Sequence, residues 1–168
     1  MDRELERHIA ALDAAAGDPH DGLPDALFLF VSRITPLVNV DLLVKDDRDR
    51  TLLTWRDDEF FGRGWHVPGG IIRYKESAAD RVHACAREEL GADVVADPSP
   101  LLVSETIREA RSRAHFISLL FRCRLITEPD DRRRADGASP SRGAWAWHDR
   151  CPPDLLDVHR PYARFFTA

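Results

Sequence analysis

The stretch "WHVPGGIIRYKESAADRVHACAREELGADV", Trp65 to Val94, changes its periodicity along its length and constrains the fold more than any other segment. Pro68, Gly69 and Gly70 mark a backbone that turns tightly or passes close to another group. "IIRY" then reads as a short strand, and Ser77 to Leu90 as a helix. At about 100° per residue, Ala78, Val82, Cys85 and Ala86 form one apolar stripe that must face a sheet. Glu89 falls inside that stripe, Glu88 on its flank, and Asp80 and Arg87 opposite. A carboxylate on a buried face is costly unless it is paired, protonated or metal-bound. The alternative is that Glu89, close to the helix end, escapes to solvent. Glu88 beside it and the "PGG" loop favour the metal, because glycines let carbonyls and amides approach a cation and a diphosphate. Mg²⁺ in particular accepts a few carboxylates and fills its shell with waters and substrate phosphates.

Upstream, "TPLVNVDLLV" alternates, with Val38, Val40, Leu42 and Val44 on one face and Asn39 and Asp41 on the other. "KDDRDR" predicts a turn and "TLLTWR" the partner strand of a hairpin. Gly62, Gly64, Pro68, Gly69 and Gly70 predict a loop. Leu5, Ile9, Leu12 and Ala16 recur at helical spacing before Gly17, and "LPDALFLFVSRI" predicts a second helix with Pro24 in its first turn. Its phenylalanines need cover from the core or from another subunit. Downstream come strands in "LLVSETIREA" and "HFISLLFRCRLI", the polar loop "TEPDDRRRADGASPSRG", a strand in "AWAWHD" and a C-terminal helix in "PPDLLDVHRPYARFF". Strands around one long helix give an α/β domain. We expect it over 23–168, preceded by a helical extension over 1–22.

A chain of 168 residues can bury one sizeable core. A net charge of −5 argues against a general nucleic-acid binder. Lys45 and Lys75 are the only lysines, so arginine forks carry nearly all the basic charge. Cys85, Cys123 and Cys151 show no paired spacing, which fits a reducing compartment and gives neither a disulfide framework nor a zinc site. The acidic, periodic N-terminus is unlike a secretory signal. No apolar run approaches membrane-spanning length. A cytoplasmic protein without a membrane partner is expected.

"GGIIRYKESAADRVHACAREELGA" resembles the Nudix box, G-x5-E-x7-R-E-U-x-E-E-x-G-U, where U is a bulky apolar residue. Gly70, Glu76, Glu88, Glu89 and Gly91 match in register, while Ala84 and Cys85 stand in place of its Arg-Glu pair. The resemblance implies an α/β/α sandwich with a mixed sheet and a central catalytic helix, with extra N-terminal helices here. It also implies hydrolysis of a nucleoside diphosphate linked to another moiety, using Mg²⁺ or Mn²⁺. From Leu23 onward, "TPLVNVDLLVKDDRDRTLLTWRDDEFFGRGWHVPGG" and the later strands are similar to the GDP-mannose mannosyl hydrolase branch. That branch attacks the sugar carbon, releases GDP and the hexose, and also lacks the Glu at the position of Cys85.

On that likeness the Gly69 carbonyl, Glu88 and Glu89 would hold the metal. Arg56 would contact the diphosphate and assist its departure, and Asp41 would lie at the substrate site. A nucleotide sugar such as GDP-mannose would be the substrate, and the "LPDALFLFVSRI" helices would pack in a homodimer. The chain also departs from the branch. Ile71 and Ala84 replace two arginines, Phe116 a tyrosine, and Ser141 and Arg142 a Gln-His pair that supplies a metal ligand and the general base. His115 and Glu105 are candidate substitutes for that base. His66 and His83 read as hydrogen-bonded or solvated, Trp145 and Trp147 as core, and Cys85 as an apolar filler. Two functions fit: an active hydrolase, or an impaired Nudix-fold module that binds a nucleotide sugar or a partner.

Overall fold

The computed structural model describes residues 2–137 and 139–166. The strands form a five-stranded mixed sheet and a three-stranded antiparallel sheet, and a central helix packs against the larger one. That sheet holds β1 (Leu37–Val44), β4 (Gly69–Ile71), β5 (Val94–Ala96), β6 (Leu102–Ile107) and β7 (His115–Leu125). β7 is its spine: it runs parallel to β1 along one edge and antiparallel to β6 and β5 along the other. The second sheet has the order β3 (Gly62–His66), β2 (Thr51–Asp58), β8 (Trp145–His148). The mixed α/β architecture is the one expected.

The expected alternation of β1 decides the layers. Val40, Leu42 and Val44 meet Val82, Cys85, Ala86 and Leu90 of the central helix. On the other face, Leu43 joins Leu53, Trp65, Val67, Leu120 and Tyr162 between the sheets. Each such aliphatic side chain, fully withdrawn from water, stabilises the fold by about 1.5–3 kcal/mol.

Four local expectations are corrected. β1 and β2 are not hairpin partners. Beyond a single bridge, Lys45 to Thr51, they separate into different sheets, because β4 and β7 occupy both hydrogen-bonding edges of β1. Gly62–His66 is a strand rather than a loop. A Cβ on Gly64 would lie 2.5 Å from the Asp154 carbonyl and 2.7 Å from Leu156 Cδ2, so glycine there permits close approach of the C-terminal segment. The strand expected at "IIRY" lies earlier and includes both glycines, pairing with β1. β5 has no counterpart in the sequence expectations, and the C-terminal helix is a 3₁₀ segment, Asp157–Phe165, interrupted by Pro161.

α1 (Arg3–Ala16) begins at Asp2, which caps Glu4, and ends at Gly17, as its spacing suggests. None of its residues is buried. α2 (Asp25–Val31) follows Pro24.

Candidate active site

The central helix α3 (Ala78–Cys85) starts at Ser77, whose hydroxyl accepts from the Asp80 amide at 3.0 Å. Its last turn widens into a π-helical segment, Ala86–Leu90, which stops at Gly91 with φ 66°. Such π turns recur at functional sites, and this one carries both glutamates. Arg87 points outward to Asp93, whereas Glu89 turns inward toward the second sheet.

Arg81 pairs with Glu76 inside the loop-helix unit. It is 3% exposed, and its guanidinium forks onto Glu76 with two hydrogen bonds of 2.8 Å. Glu76 also accepts from the Arg73 amide at 2.9 Å. Burial opposes ionisation of Glu76, but these donors outweigh it and hold the carboxyl below its usual range. Glu76 is therefore fully engaged. Cys85 is sealed in the core, its Sγ filling the space that a Cβ on Gly70 would need, and burial pushes its thiol up to about 12. It offers no ligand.

Glu88 and Glu89 face a groove that Thr54, Trp55, Arg56, Asp58, His66, Arg113, Arg133 and Arg142 also line. Glu88 is exposed and lies within 3.5 Å of Arg81 and 3.9 Å of Arg73. Glu89 reaches solvent only through the groove and meets Thr54 Oγ1 at 3.0 Å and the Gly69 amide at 3.4 Å. Burial pushes its carboxyl up to about 7, although Arg56, Thr54 and Gly69 pull the other way.

Thr54 also touches His66. The His66 Nδ1 lies 2.9 Å from the Val67 carbonyl, which can only accept, so Nδ1 carries the hydrogen. Burial, Arg56 and His159 hold the imidazole well below its usual range, and its Nε2 lies 2.9 Å from Thr54 Oγ1, the donor to Glu89. A cation binding at Glu89 would displace any proton there.

Behind the groove lies a second, smaller cleft of about 70 Å³, lined by Asn39, Asp41, Phe116, Ser118 and His159. Asp41 sits at its floor, 3% exposed. Tyr162 Oη donates to Asp41 Oδ2 at 2.5 Å and Asn39 Nδ2 to Oδ1 at 3.1 Å, while Ser118 donates onward to Asn39. Burial nonetheless raises its carboxyl to about 6. His159 Nδ1 accepts from the Val67 amide at 2.9 Å, so its Nε2 carries the hydrogen, 3.9 Å from Asp41. Burial, then Arg56, lowers this imidazole to about 3, which fixes it as a neutral donor. Gly69 must be glycine here, since a Cβ would lie 2.6 Å from Asp41 Oδ1.

Arg56, His66 and Arg113 line both clefts. The structure thus brings Asp41, Arg56, Gly69, Glu88 and Glu89 around one continuous depression. Gly70 and Phe116 line its inner part and Arg142 its outer part, whereas Glu76 and Gly91 shape the loop and the helix end. His115 and Glu105 are not brought there. They bond each other at 3.0 Å and lie, by strand alternation, on the face opposite Phe116 and Thr106. Thr54, Arg81, Arg113, His159 and Tyr162 were missing from the sequence-derived site. Only Arg81, on the buried face of a helix, carried a local signal.

A Nudix domain model matches residues 35–164. The chain belongs to the Nudix hydrolase family. A MutT Nudix hydrolase from Burkholderia pseudomallei is similar in structure, with a TM-score of 0.63 and 24% identity over 79% of this chain and 99% of that one. A Nudix-family hydrolase from Clostridium perfringens gives 0.56 and 13% over 77% and 94%. In sequence, the low-salt glycan biosynthesis protein Agl8 of Haloferax volcanii is 35% identical over 79 residues, 47% of this chain. The chain spans about half the length of that curated relative, 50%.

The family uses divalent cations, and the donor set suits one. Among the described residues no three His, Cys, Asp or Glu side chains cluster as metal ligands. Two carboxylates and the carbonyl of Gly69 fit a hard ion such as Mg²⁺ or Mn²⁺, which completes its shell with waters and phosphates. They do not fit a self-contained zinc site.

Proposed function

We propose that the protein hydrolyses a nucleoside diphosphate derivative, a nucleotide sugar such as GDP-mannose, with Mg²⁺ or Mn²⁺. One observation carries this: a carboxylate groove and a polar cleft meet at Arg56, so a ligand whose organic part fills the cleft presents its diphosphate to the groove. Gly69, Glu88 and Glu89 would hold the cation. When bound, it supplies charge neutralisation on the phosphates and acidifies a water. Arg56 stabilises the departing phosphate charge. Asp41, held by Tyr162 and Asn39, accepts hydrogen bonds from a substrate hydroxyl, and His159 donates one. The glycan-related name of the Haloferax relative supports a sugar-bearing substrate, and the likeness to the mannosyl hydrolase branch supports GDP-mannose. Attack at the sugar carbon and at phosphorus both suit this layout.

The test is turnover of a nucleotide-sugar panel in ¹⁸O-labelled water with Mg²⁺ or Mn²⁺, comparing wild type with Glu89→Gln. Label in the hexose identifies attack at carbon; label in a phosphate identifies diphosphate cleavage. Tight binding without turnover of any member would favour the second function, an impaired module. The engagement of Glu88 by Arg81 and Arg73 is the observation on that side.

We take the chain to act in the cytoplasm as a homodimer, its helical extension over 1–22 preceding the Nudix domain over 23–168. Dimerisation is supported by Leu5, Ile9 and Leu12 of α1, which are 56%, 51% and 41% exposed on one face. A monomer in sedimentation at micromolar concentration would overturn it. No described helix is long and apolar enough to cross a membrane.

A further inference from the structure

Arg113 belongs to no recognised motif, yet it sits where the two clefts join. It lies in the hairpin loop between β6 and β7, which closes through Arg108 N donating to Ala114 O at 2.8 Å. Its backbone is left-handed, φ 51°, a conformation that a non-glycine residue adopts only when its surroundings demand it. Those surroundings are specific. The Arg113 amide donates to Ser32 Oγ at 3.1 Å, just beyond α2, and Ser32 is itself fixed by donating to Leu29 O at 2.9 Å. The guanidinium carbon stands 4.8 Å over Phe60, 5.1 Å over Phe61 and 5.7 Å over Phe28.

Aromatic faces position a guanidinium and strip its water, but they do not neutralise it. Among the described residues Arg113 has no carboxylate at ion-pair distance, and its Nε is buried without a hydrogen-bond partner. Burial, and then the charges of Arg56 and Arg108, disfavour its ionised form, against a partly compensating pull from Asp58. A guanidinium does not give up its proton in a protein, so the charge stays and stands ready for an anion. Arg56 shares the junction, its Nε 3.5 Å from Asp58 and its guanidinium 5.2 Å over the same Phe61 ring. Three guanidinium groups, those of Arg56, Arg108 and Arg113, crowd the Phe61 ring and repel one another, with Asp58 beside Arg56 as the nearest carboxylate. A ligand carrying two adjacent negative charges relieves that repulsion.

We infer that Arg113 and Arg56 form a two-guanidinium clamp for the substrate's diphosphate, with Arg113 a substrate-binding residue seated by α2 through Phe28 and Ser32. This deepens the nucleotide-sugar function and rests on it for the identity of the groups attached to the diphosphate. It also gives α2 a role in the site, because the helix holds the loop that presents the arginine.

The test is calorimetric titration of inorganic pyrophosphate, GDP and guanosine with Mg²⁺ into wild type, Arg113→Gln, Arg113→Lys and Ser32→Ala. Arg113→Gln should weaken pyrophosphate and GDP at least tenfold and leave guanosine unchanged. Arg113→Lys, which keeps the charge but loses the fork, should recover only part of the affinity and serves if the glutamine variant misfolds. Ser32→Ala should give a smaller loss of the same pattern. Wild type failing to bind pyrophosphate, or Arg113→Gln binding it as tightly as wild type, would overturn the clamp. The two claims separate cleanly. Absent nucleotide-sugar turnover with a pyrophosphate affinity that depends on Arg113 sinks the hydrolase but keeps the clamp. Turnover with an unchanged KM in Arg113→Gln does the reverse.

Discussion

The groove and the inner cleft share a wall but are assembled in opposite ways. The groove's two glutamates come from one helix end, with the loop just before that helix packed against them, so Gly69, Glu76, Glu88 and Glu89 span 21 residues. The cleft's polar floor is gathered from Asn39 and Asp41 on β1, Ser118 on β7, and His159 and Tyr162 near the C-terminus; Tyr162 and Asp41 are 121 positions apart. A local segment finds its partners close by in sequence, as Arg81 and Glu76 do. A long-range assembly depends on several elements arriving together. The contrast separates a metal-binding half, set by local geometry, from a phosphate clamp and a recognition cleft, both set by the tertiary fold.

The largest expected effect tests the groove. Glu89→Gln keeps shape and hydrogen bonding while removing the charge that a cation needs. Turnover at saturating Mg²⁺ should fall about 10³-fold, equivalent to several kcal/mol of transition-state stabilisation. Binding of the nucleoside moiety should change little. Loss of both in equal measure would merge the two halves into one.

Arg81 tests whether the helix end is locally self-sufficient. Arg81→Ala leaves Glu76 partly buried and unpaired, an arrangement that typically costs about 3–5 kcal/mol. Replacing both residues with apolar side chains of similar volume should recover most of that loss in thermal unfolding. A loss below about 1 kcal/mol would mean that Glu76 reaches water.

These two regions also differ in how far they could be read from sequence. The carboxylates were legible because a helical period puts Glu88 and Glu89 at fixed angles to an apolar stripe whose burial is easy to anticipate. Even there, the π-helical last turn was invisible, since it arises from packing rather than from residue type. The sheets were legible as strands but not as partners. β1 and β2 flank a turn, and that proximity suggested a hairpin, but both hydrogen-bonding edges of β1 are taken by β7 and β4. Gly62 and Gly64 looked like loop residues because glycine is a poor strand former, and only the nearby Asp154 carbonyl shows why it is required. His159 and Tyr162 gave no signal, because nothing in "DVHRPYARFF" records that its 3₁₀ turns fold back under Asp41. Arg113 was hidden for the same reason. Its role depends on Phe28 and Ser32, about eighty residues earlier.

A pH experiment isolates Glu89 from the buried histidines, whose titration opposes it. In the metal-free protein the folded state raises this carboxyl from 4.5 to about 7. The fold therefore favours the protonated form. That contribution is complete below pH 4.5 and is lost as pH climbs through about 7. Glu89→Gln does not titrate, and the histidine contributions cancel between the two proteins. Wild type should lose on the order of 2 kcal/mol relative to the variant between pH 5 and pH 8. Saturating Mg²⁺ should recover the wild type's loss at pH 8 and leave the variant unmoved. A pH-independent difference would place Glu89 in ordinary contact with water.

The smallest effect tests the recognition half. Tyr162→Phe removes the phenol that donates to Asp41 and leaves the ring packed between the sheets. Losing one hydrogen bond to a buried carboxyl should lower stability by about 1–2 kcal/mol. With that donor gone, the Asp41 carboxyl should rise above its present value of about 6, so more of it is protonated near neutral pH. A protonated Asp41 donates where the ionised group accepts, which changes how it meets a sugar or base hydroxyl. If the inner cleft recognises the organic part of the substrate, KM should rise and kcat hold, with the KM defect easing as pH increases and Asp41 ionises. If kcat falls instead while KM holds, Asp41 acts on the reacting bond, and the division between a chemical groove and a recognition cleft fails.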